Sequence, residues 1–204
     1  MPRMDSPSER IISLYERHAH HYDADRTRDP RIEKGWLDRW IALLPKGAPI
    51  LDIGCGHGEP IGRYLIEQAF EVTGVDSSPT LISLCRRRFP RQEWLVADMR
   101  TLELGKVFQG LIAWDSFFHL SHEDQRSMFP IFKRHAAPRA ALLFTTGPSH
   151  GESIGSYRGE PLYHASLSES EYRLLLESNG FSVRAHLAED PECGLHTVWL
   201  AQRE

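Results

Sequence analysis

Short apolar runs alternate with longer amphipathic stretches along most of the chain. Near the start, Ile11, Tyr15, His18 or Ala19, and Tyr22 recur at helical spacing and predict one amphipathic helix. Trp36, Leu37, Trp40, Ile41 and Leu44 share one face of a second helix, which "LPKGAP" ends through Pro45, Gly47 and Pro49. Five buried runs then read as strands: "PILDIG", "EVTGVD", "EWLVAD", "FQGLIAWD" and "AALLFTTG". Among them lie the helical patterns "EPIGRYLIEQA", "SPTLISLCRRRF" and "SHEDQRSMFPIFKRHA". The last of these opens on a Ser121 cap and is expected to bend or split at Pro130. A Gly-, Ser- and His-rich loop is expected from Gly147 to about Ser166. "SLSESEYRLLLESNGF" follows as a helix with a capping box from Ser168 to Glu171 and a Gly180 stop. "FSVRAHLAE" and "HTVWLAQR" close the chain as a strand pair.

Five βα units and a terminal strand pair imply an α/β fold, a doubly wound and mostly parallel sheet with helices on both faces. Ligands of such sheets sit beyond the carboxyl ends of the strands, at the switch point, so the residues that end strands are the candidates for chemistry.

Composition narrows the function classes. The 204 residues suit one domain, and 41% hydrophobic with 25% charged residues is ordinary globular usage. A net charge of −4, from 24 basic and 28 acidic side chains, argues against nucleic acid held through bulk charge. "CRRRFPR" reads as a solvated helix end. Cys55, Cys85 and Cys193 are odd in number and far apart, with no CxxC pair, which points to a reducing compartment. The opening "MPRMDSPSER" carries no apolar signal core and no run approaches a membrane span, so a cytoplasmic protein with no membrane partner is expected.

The chemistry concentrates in "LDIGCGHGEP". Glycines after a buried strand let the chain turn sharply and bring backbone N–H groups to a ligand. A dinucleotide site wants G-x-G-x-x-G; Gly54 and Gly56 fit, but position 59 is Glu59 and the third glycine is Gly58. A nicotinamide oxidoreductase is thereby weakened. Asp76 ends the second strand, where a carboxylate can accept both hydroxyls of a ribose. Asp98, in "VADMR", ends the third, where an adenine amino group could donate to it with Met99 against the ring.

With "LDIGCGHG", "VTGVDSSPTLI" and "VADMR" in this order, the sequence resembles the class I S-adenosylmethionine-dependent methyltransferases of the small-molecule type, methyltransferase type 11/25-like, over nearly its whole length. The resemblance implies a Rossmann-like sheet of order 3-2-1-4-5-7-6 with strand seven antiparallel. It implies a single domain over 1–204, with 1–45 as an N-terminal helical lid and 46–204 as the catalytic core. S-adenosyl-L-methionine is the implied cofactor and S-adenosyl-L-homocysteine the product. Asp52 would lie near the methionine ammonium, and Gly54, Cys55, Gly56 and Gly58 along the cofactor. Asp76 would hold the ribose with Ser77 beside it, and Ala97, Asp98 and Met99 would frame adenine. Trp114 and Asp115 would meet the methionine part, and Tyr22 and Arg26 resemble the lid that closes over it.

Methyl transfer from a sulfonium needs placement above all, and a base only where the acceptor must lose a proton. His119, four residues after Asp115, is the candidate base. His18 and His21 could share a helix face, but no third ligand is evident and no metal is expected. The loop after strand five brings His150, Tyr157, Arg158, Tyr163 and His164 as pocket candidates. "AWDSF" stands where amino-methylating nucleic-acid enzymes carry an N-P-P-Y-type motif. The expected partner is therefore a small-molecule acceptor rather than nucleic acid, with the protein a monomer or homodimer. The alternative is a protein of the same fold that binds the cofactor without turnover.

Overall fold

The computed structural model describes residues 8–204; the beginning of the expected lid, residues 1–7, lies outside the described residues. Helices α1 (Ile11–Arg17), α2 (Ala19–Asp25) and α3 (Lys34–Ile41) precede strand β1 (Pro49–Ile53). Then come α4 (Ile61–Glu67), β2 (Glu71–Asp76), α5 (Pro79–Arg88), β3 (Glu93–Val96) and β4 (Phe108–Ala113). Helix α6 (His122–His135), β5 (Ala136–Thr146), β6 (Gly151–Tyr157), β7 (Glu160–Ser166), α7 (Glu169–Ser178), β8 (Phe181–Asp190) and β9 (His196–Arg203) complete the order.

Seven strands form one sheet in the order β3-β2-β1-β4-β5-β9-β8, with β1 to β5 parallel to one another and β9 antiparallel to both β5 and β8. This is the expected order, because β8 and β9 are the sixth and seventh strands of the sheet. Parallel strands covered on both faces must be apolar on both. Leu51 and Ile53 of β1 accordingly join Phe117, Phe129, Phe132, Phe144, Tyr172 and Trp199 in one core. Ile50, just before them, packs on the other face with Trp36, Trp40, Leu65, Ile82 and Trp94. Helix α3 is keyed to that face by the Trp40 indole N–H, which donates to the Ala141 carbonyl at 3.0 Å.

Four expectations are corrected. The segment expected as a loop is mostly a two-stranded antiparallel hairpin, β6 with β7. Its turn holds Arg158 and Gly159 at φ of 52° and 81°, the left-handed pair that matches hairpin twist. The first helix is two helices, parted at His18, whose φ and ψ of −106° and 14° leave the helical region. Between β3 and β4 the chain makes only a 3₁₀ turn at Met99–Thr101, so the count of five βα units was one helix too many. Helix α6 runs continuously through Pro130 rather than splitting there.

Candidate ligand-binding site

A cavity opens at the carboxyl ends of β1, β2, β3 and β4, under α1 and α2. Ten of the expected site residues line it: Tyr22, Gly54, Gly56, Asp76, Ser77, Ala97, Asp98, Met99, Asp115 and His119. Arg26, Asp52, Cys55, Gly58 and Trp114 do not. Tyr15 lines it beside Tyr22, and Ile11, Leu81, Arg100, Ser116 and Leu120 are among the lining residues that strand-end reasoning missed.

The glycine turn is held open by its own crowding. A Cβ on Gly54, at φ 77°, would sit 2.3 Å from the Ser116 Cβ, so nothing larger fits beside the start of the 3₁₀ turn that follows β4. A Cβ on Gly56, at φ 55°, would meet the Tyr22 ring at 3.2 Å, because that ring lies across the turn from α2. Ser116 is fixed in turn, its hydroxyl donating to the Ile53 carbonyl at 2.7 Å. Gly58 instead backs onto Phe89 and Cys85 of the α5 region, 3.1 and 3.3 Å from where its Cβ would be. Its place is in packing. Cys55 is likewise buried in the core, its thiol pushed up by burial.

Asp76 and Asp98, the acids at the ends of β2 and β3, differ in what occupies them. Asp76 accepts from the Gly56 N–H and from the Ser78 N–H, each at 2.9 Å. Burial still raises its carboxyl above the ordinary range, against those bonds. Each oxygen keeps a lone pair for a further donor. Asp98 caps the 3₁₀ turn through the Arg100 N–H at 2.9 Å, and its carboxylate also takes the Arg100 guanidinium at 2.6 to 3.0 Å. Any donor from a ligand must share Asp98 with that arginine. Asp52, inside β1, is deeply buried and pushed up to about 7, by burial first and then by Asp76.

At the end of β4, Asp115 sits in the left-handed region at φ 49°. Its N–H donates to Thr145 Oγ1 at 2.9 Å, while its carboxylate meets Arg26 Nη2 at 3.3 Å and His196 Nε2 at 2.9 Å. Arg26 thus reaches the cavity through Asp115. Burial raises the Asp115 carboxyl, but the bond and charge of His196 and then Arg26 outweigh it, leaving the group below its ordinary value. Trp114 turns away from the cavity and packs its ring 5.4 Å from that of His196.

The remaining wall is aromatic. His119 Nδ1 lies 2.8 Å from the Tyr163 carbonyl, which can only accept, so that nitrogen carries the proton. Nε2 therefore accepts from the Tyr15 hydroxyl at 2.9 Å. Burial lowers His119 to about 4, which keeps the ring neutral. Tyr15 packs edge-on to Tyr22 at 5.5 Å and stacks on Tyr157 of the hairpin at 6.2 Å. The hairpin is fastened to the N-terminal helices by Arg158 with Asp25 at 2.6 Å, and by Glu160 with Arg17 and His18. His164 stands 4.8 Å behind His119. His150 stacks on His122 at 4.6 Å and lines a second hollow between the hairpin and the end of β5.

The N-terminal helices are tied to the core in the same manner. Glu16 accepts from Thr80 Oγ1 at 2.7 Å and bonds Ser78, at the start of α5. Asp23 takes Arg88 through both carboxylate oxygens at 2.7 Å, at the other end of α5. Buried Glu59 pairs with Arg28 and Arg63. Glu59 therefore anchors the segment that covers the glycine turn.

Residues 50–139 match the family model described as a methyltransferase domain. The match runs from β1 into the start of β5, less than half of the chain. The sheet around it has the class I methyltransferase architecture: a solved 1,6-didemethyltoxoflavin-N1-methyltransferase of Burkholderia thailandensis covers 100% of this chain, and 92% of its own, at TM-score 0.73 and 21% identity. That structure contains 1,6-didemethyltoxoflavin and S-adenosylhomocysteine. A putative methyltransferase of Bacillus subtilis (strain 168) is 32% identical over 142 residues, 64% of this chain and 54% of its own length. A dTDP-4-amino-2,3,4,6-tetradeoxy-D-glucose N,N-dimethyltransferase of Saccharopolyspora spinosa is 29% identical over 127 residues, 59% and 51% of the two lengths. The matched region thus spans about half the length of these curated relatives. Among the described residues, no helix is long and apolar enough to cross a membrane.

Proposed function

We propose that the protein is an S-adenosylmethionine-dependent methyltransferase acting on a small-molecule acceptor. The observation that carries this reading is Asp76, a cavity-facing carboxylate whose position is fixed by two backbone N–H groups beside bare glycines. The fit to the cofactor is specific. Gly54 and Gly56 put no side chain between the backbone of the turn and the cavity, and Ser116 and Tyr22 pack where their Cβ atoms would be. Asp76 has free lone pairs for two ribose hydroxyls, with Ser77 beside it. Ala97, Asp98 and Met99 line the place for adenine, and Arg100 shares Asp98 with it. Arg26 Nε is buried without a partner, a donor suited to a carboxylate. Tyr22 covers the glycine turn, and residues 1–45 act as the lid over a core of 46–204.

When bound, S-adenosylmethionine supplies a methyl group activated by its sulfonium charge. The residues of this chain then place the acceptor. Tyr15 gives its proton to His119 Nε2, so the phenol oxygen offers lone pairs toward the cavity. An acceptor N–H or O–H is oriented by that oxygen. His119, neutral and lowered to about 4, is a weak proton acceptor, and its free nitrogen is taken. The base role expected of it gives way to that of orienting Tyr15. Such a site suits a nucleophile with a lone pair already available, and a neutral amine fits best. The relatives named for N-methylation of amino sugars support the same class.

The test is twofold. Calorimetry should detect S-adenosylhomocysteine binding at micromolar concentration, and a panel of small primary and secondary amines should release S-adenosylhomocysteine from S-adenosylmethionine. Binding without turnover on any amine, phenol or carboxylate would favour a cofactor-binding protein instead. Absence of binding would overturn the reading.

A further inference from the structure

Asp115 is pinned from three directions, and one of them comes from the last strand of the sheet. The connection into β9 is a tight turn, with Gly194 and Leu195 at φ of 58° and 62° and the Leu195 N–H donating to the Asp190 carbonyl at 2.8 Å. Trp36 of α3 donates its indole N–H to Asp190 Oδ2 at 2.7 Å, so this turn is braced against the helical layer. The turn delivers His196 with both ring nitrogens engaged: Nδ1 on the Cys193 carbonyl at 2.5 Å and Nε2 on Asp115 Oδ1 at 2.9 Å. A carbonyl only accepts, and an ionised carboxylate does too, so both nitrogens donate and the ring is an imidazolium. Asp115 is the main reason this histidine is pushed up to about 10.

Arg26 competes for the same carboxylate. Its Nη2 lies 3.3 Å from Asp115 Oδ2 and 3.2 Å from Glu33 Oε1, while its Nε has no partner. Glu33 is only 2% exposed, and its Oε2 is also unpartnered. Two cations thus face two carboxylates around Asp115, and the buried Arg26 Nε is left without a partner. Were His196 absent, Asp115 would have Arg26 alone. A guanidinium facing one carboxylate settles into two parallel bonds, which would turn Nε toward Asp115.

We propose that His196 is a positioning residue for the amino-acid end of the cofactor: by occupying Asp115 Oδ1 it keeps the Arg26 guanidinium available to the ligand carboxylate. This rests on the S-adenosylmethionine reading above. His196 acts through Asp115 and Arg26 and need not touch the ligand.

The experiment compares S-adenosylhomocysteine with 5′-methylthioadenosine, which keeps the nucleoside and thioether but lacks the amino-acid end. Calorimetry on the full chain is run with the wild type, His196→Ala and His196→Gln. In His196→Ala, S-adenosylhomocysteine affinity should fall roughly tenfold while 5′-methylthioadenosine stays within about twofold. The glutamine variant keeps a donor for Asp115 and should recover at least half of the logarithmic loss. If the alanine variant does not fold, the glutamine variant decides, with a loss of about threefold expected for S-adenosylhomocysteine alone. Equal losses for both ligands, or no loss for either, overturn the proposal. Binding of neither ligand by the wild type overturns the cofactor reading instead.

Discussion

Asp76 and Asp115 both follow parallel strands at the same end of the sheet and both line one cavity, yet they are held in opposite ways. Asp76 is fixed by backbone N–H groups, from Gly56 and from Ser78 two residues on. Asp115 is fixed by side chains from β5, from the segment after α2 and from β9, through Thr145, Arg26 and His196. A backbone cradle has few ways to rearrange, because the turn that makes it is also the turn that starts the next helix. A side-chain cradle can be retuned by distant substitutions, and its charge is a sum over several ionisable groups. The Asp76 end of the cavity is therefore built as a fixed socket and the Asp115 end as an adjustable one.

The contrast is broken most severely at the socket. Asp76→Ala should remove the acceptor for two ribose hydroxyls and release the Gly56 N–H together. Hydrogen bonds to a charged group contribute about 1.5–3 kcal/mol each, so S-adenosylhomocysteine affinity should fall on the order of a hundredfold or more. Calorimetry checks this, and an affinity within a few-fold of wild type would remove Asp76 from the ribose. A smaller effect is expected on the acceptor side. Tyr15→Phe keeps the ring packing on Tyr22 and Tyr157 but loses the oxygen that faces the cavity. It should lower kcat/KM for the acceptor roughly tenfold, the scale of one lost polar contact, with cofactor affinity unchanged. Steady-state kinetics with an amine identified from the panel would show it. An equal loss in cofactor binding would place Tyr15 on the cofactor instead.

The same difference explains what the sequence disclosed. Gly54, Gly56 and Asp76 belong to a strand-turn-helix unit whose parts are close in the chain, and each needs a particular residue type. They were legible before any coordinates. The seven strands were legible too, from buried runs of strand length, and their order came from the family resemblance alone. The Tyr15–His119 bond joins residues 104 apart, and the Asp115–His196 bond joins residues 81 apart. No local pattern records either pairing. His119 was found by its nearness to Asp115, but the proton inventory of its two nitrogens depends on Tyr163 and Tyr15, which only the fold brings to it. Trp114 was expected in the site because it follows the strand; the alternation of side chains turns it to the opposite face, among Trp36 and Trp40. The hairpin was hidden because its exposed face, Glu152 to Ser156, lacks the apolar run of a buried strand; the Arg158-Gly159 turn was its one local signal.

The two histidines that flank Asp115 give the finest test, because their contributions to stability respond to pH in opposite directions. His119 is lowered from 6.5 to about 4 by burial, so the unfolded chain takes up its proton first as pH falls. Its contribution to stability is complete above 6.5 and is lost on acidification toward 4. His196 is raised from 6.5 to about 10, first by its bond to Asp115, so the folded state holds the proton that the unfolded chain gives up. Its contribution is complete below 6.5 and is lost as pH rises toward 10. Other groups titrate in the same windows: His57 is also lowered to about 4, and Asp52 is raised to about 7 with the opposite sign. Differences between wild type and variant isolate each histidine from these. Against wild type, His119→Gln should flatten the acid limb of denaturant-derived stability and leave the alkaline limb alone, and His196→Gln should do the reverse. Parallel pH curves for both variants would mean that neither ring has the charge state its neighbours assign. Arg26 would then be the one charged partner of Asp115 among the described residues, with His196 at most a neutral donor.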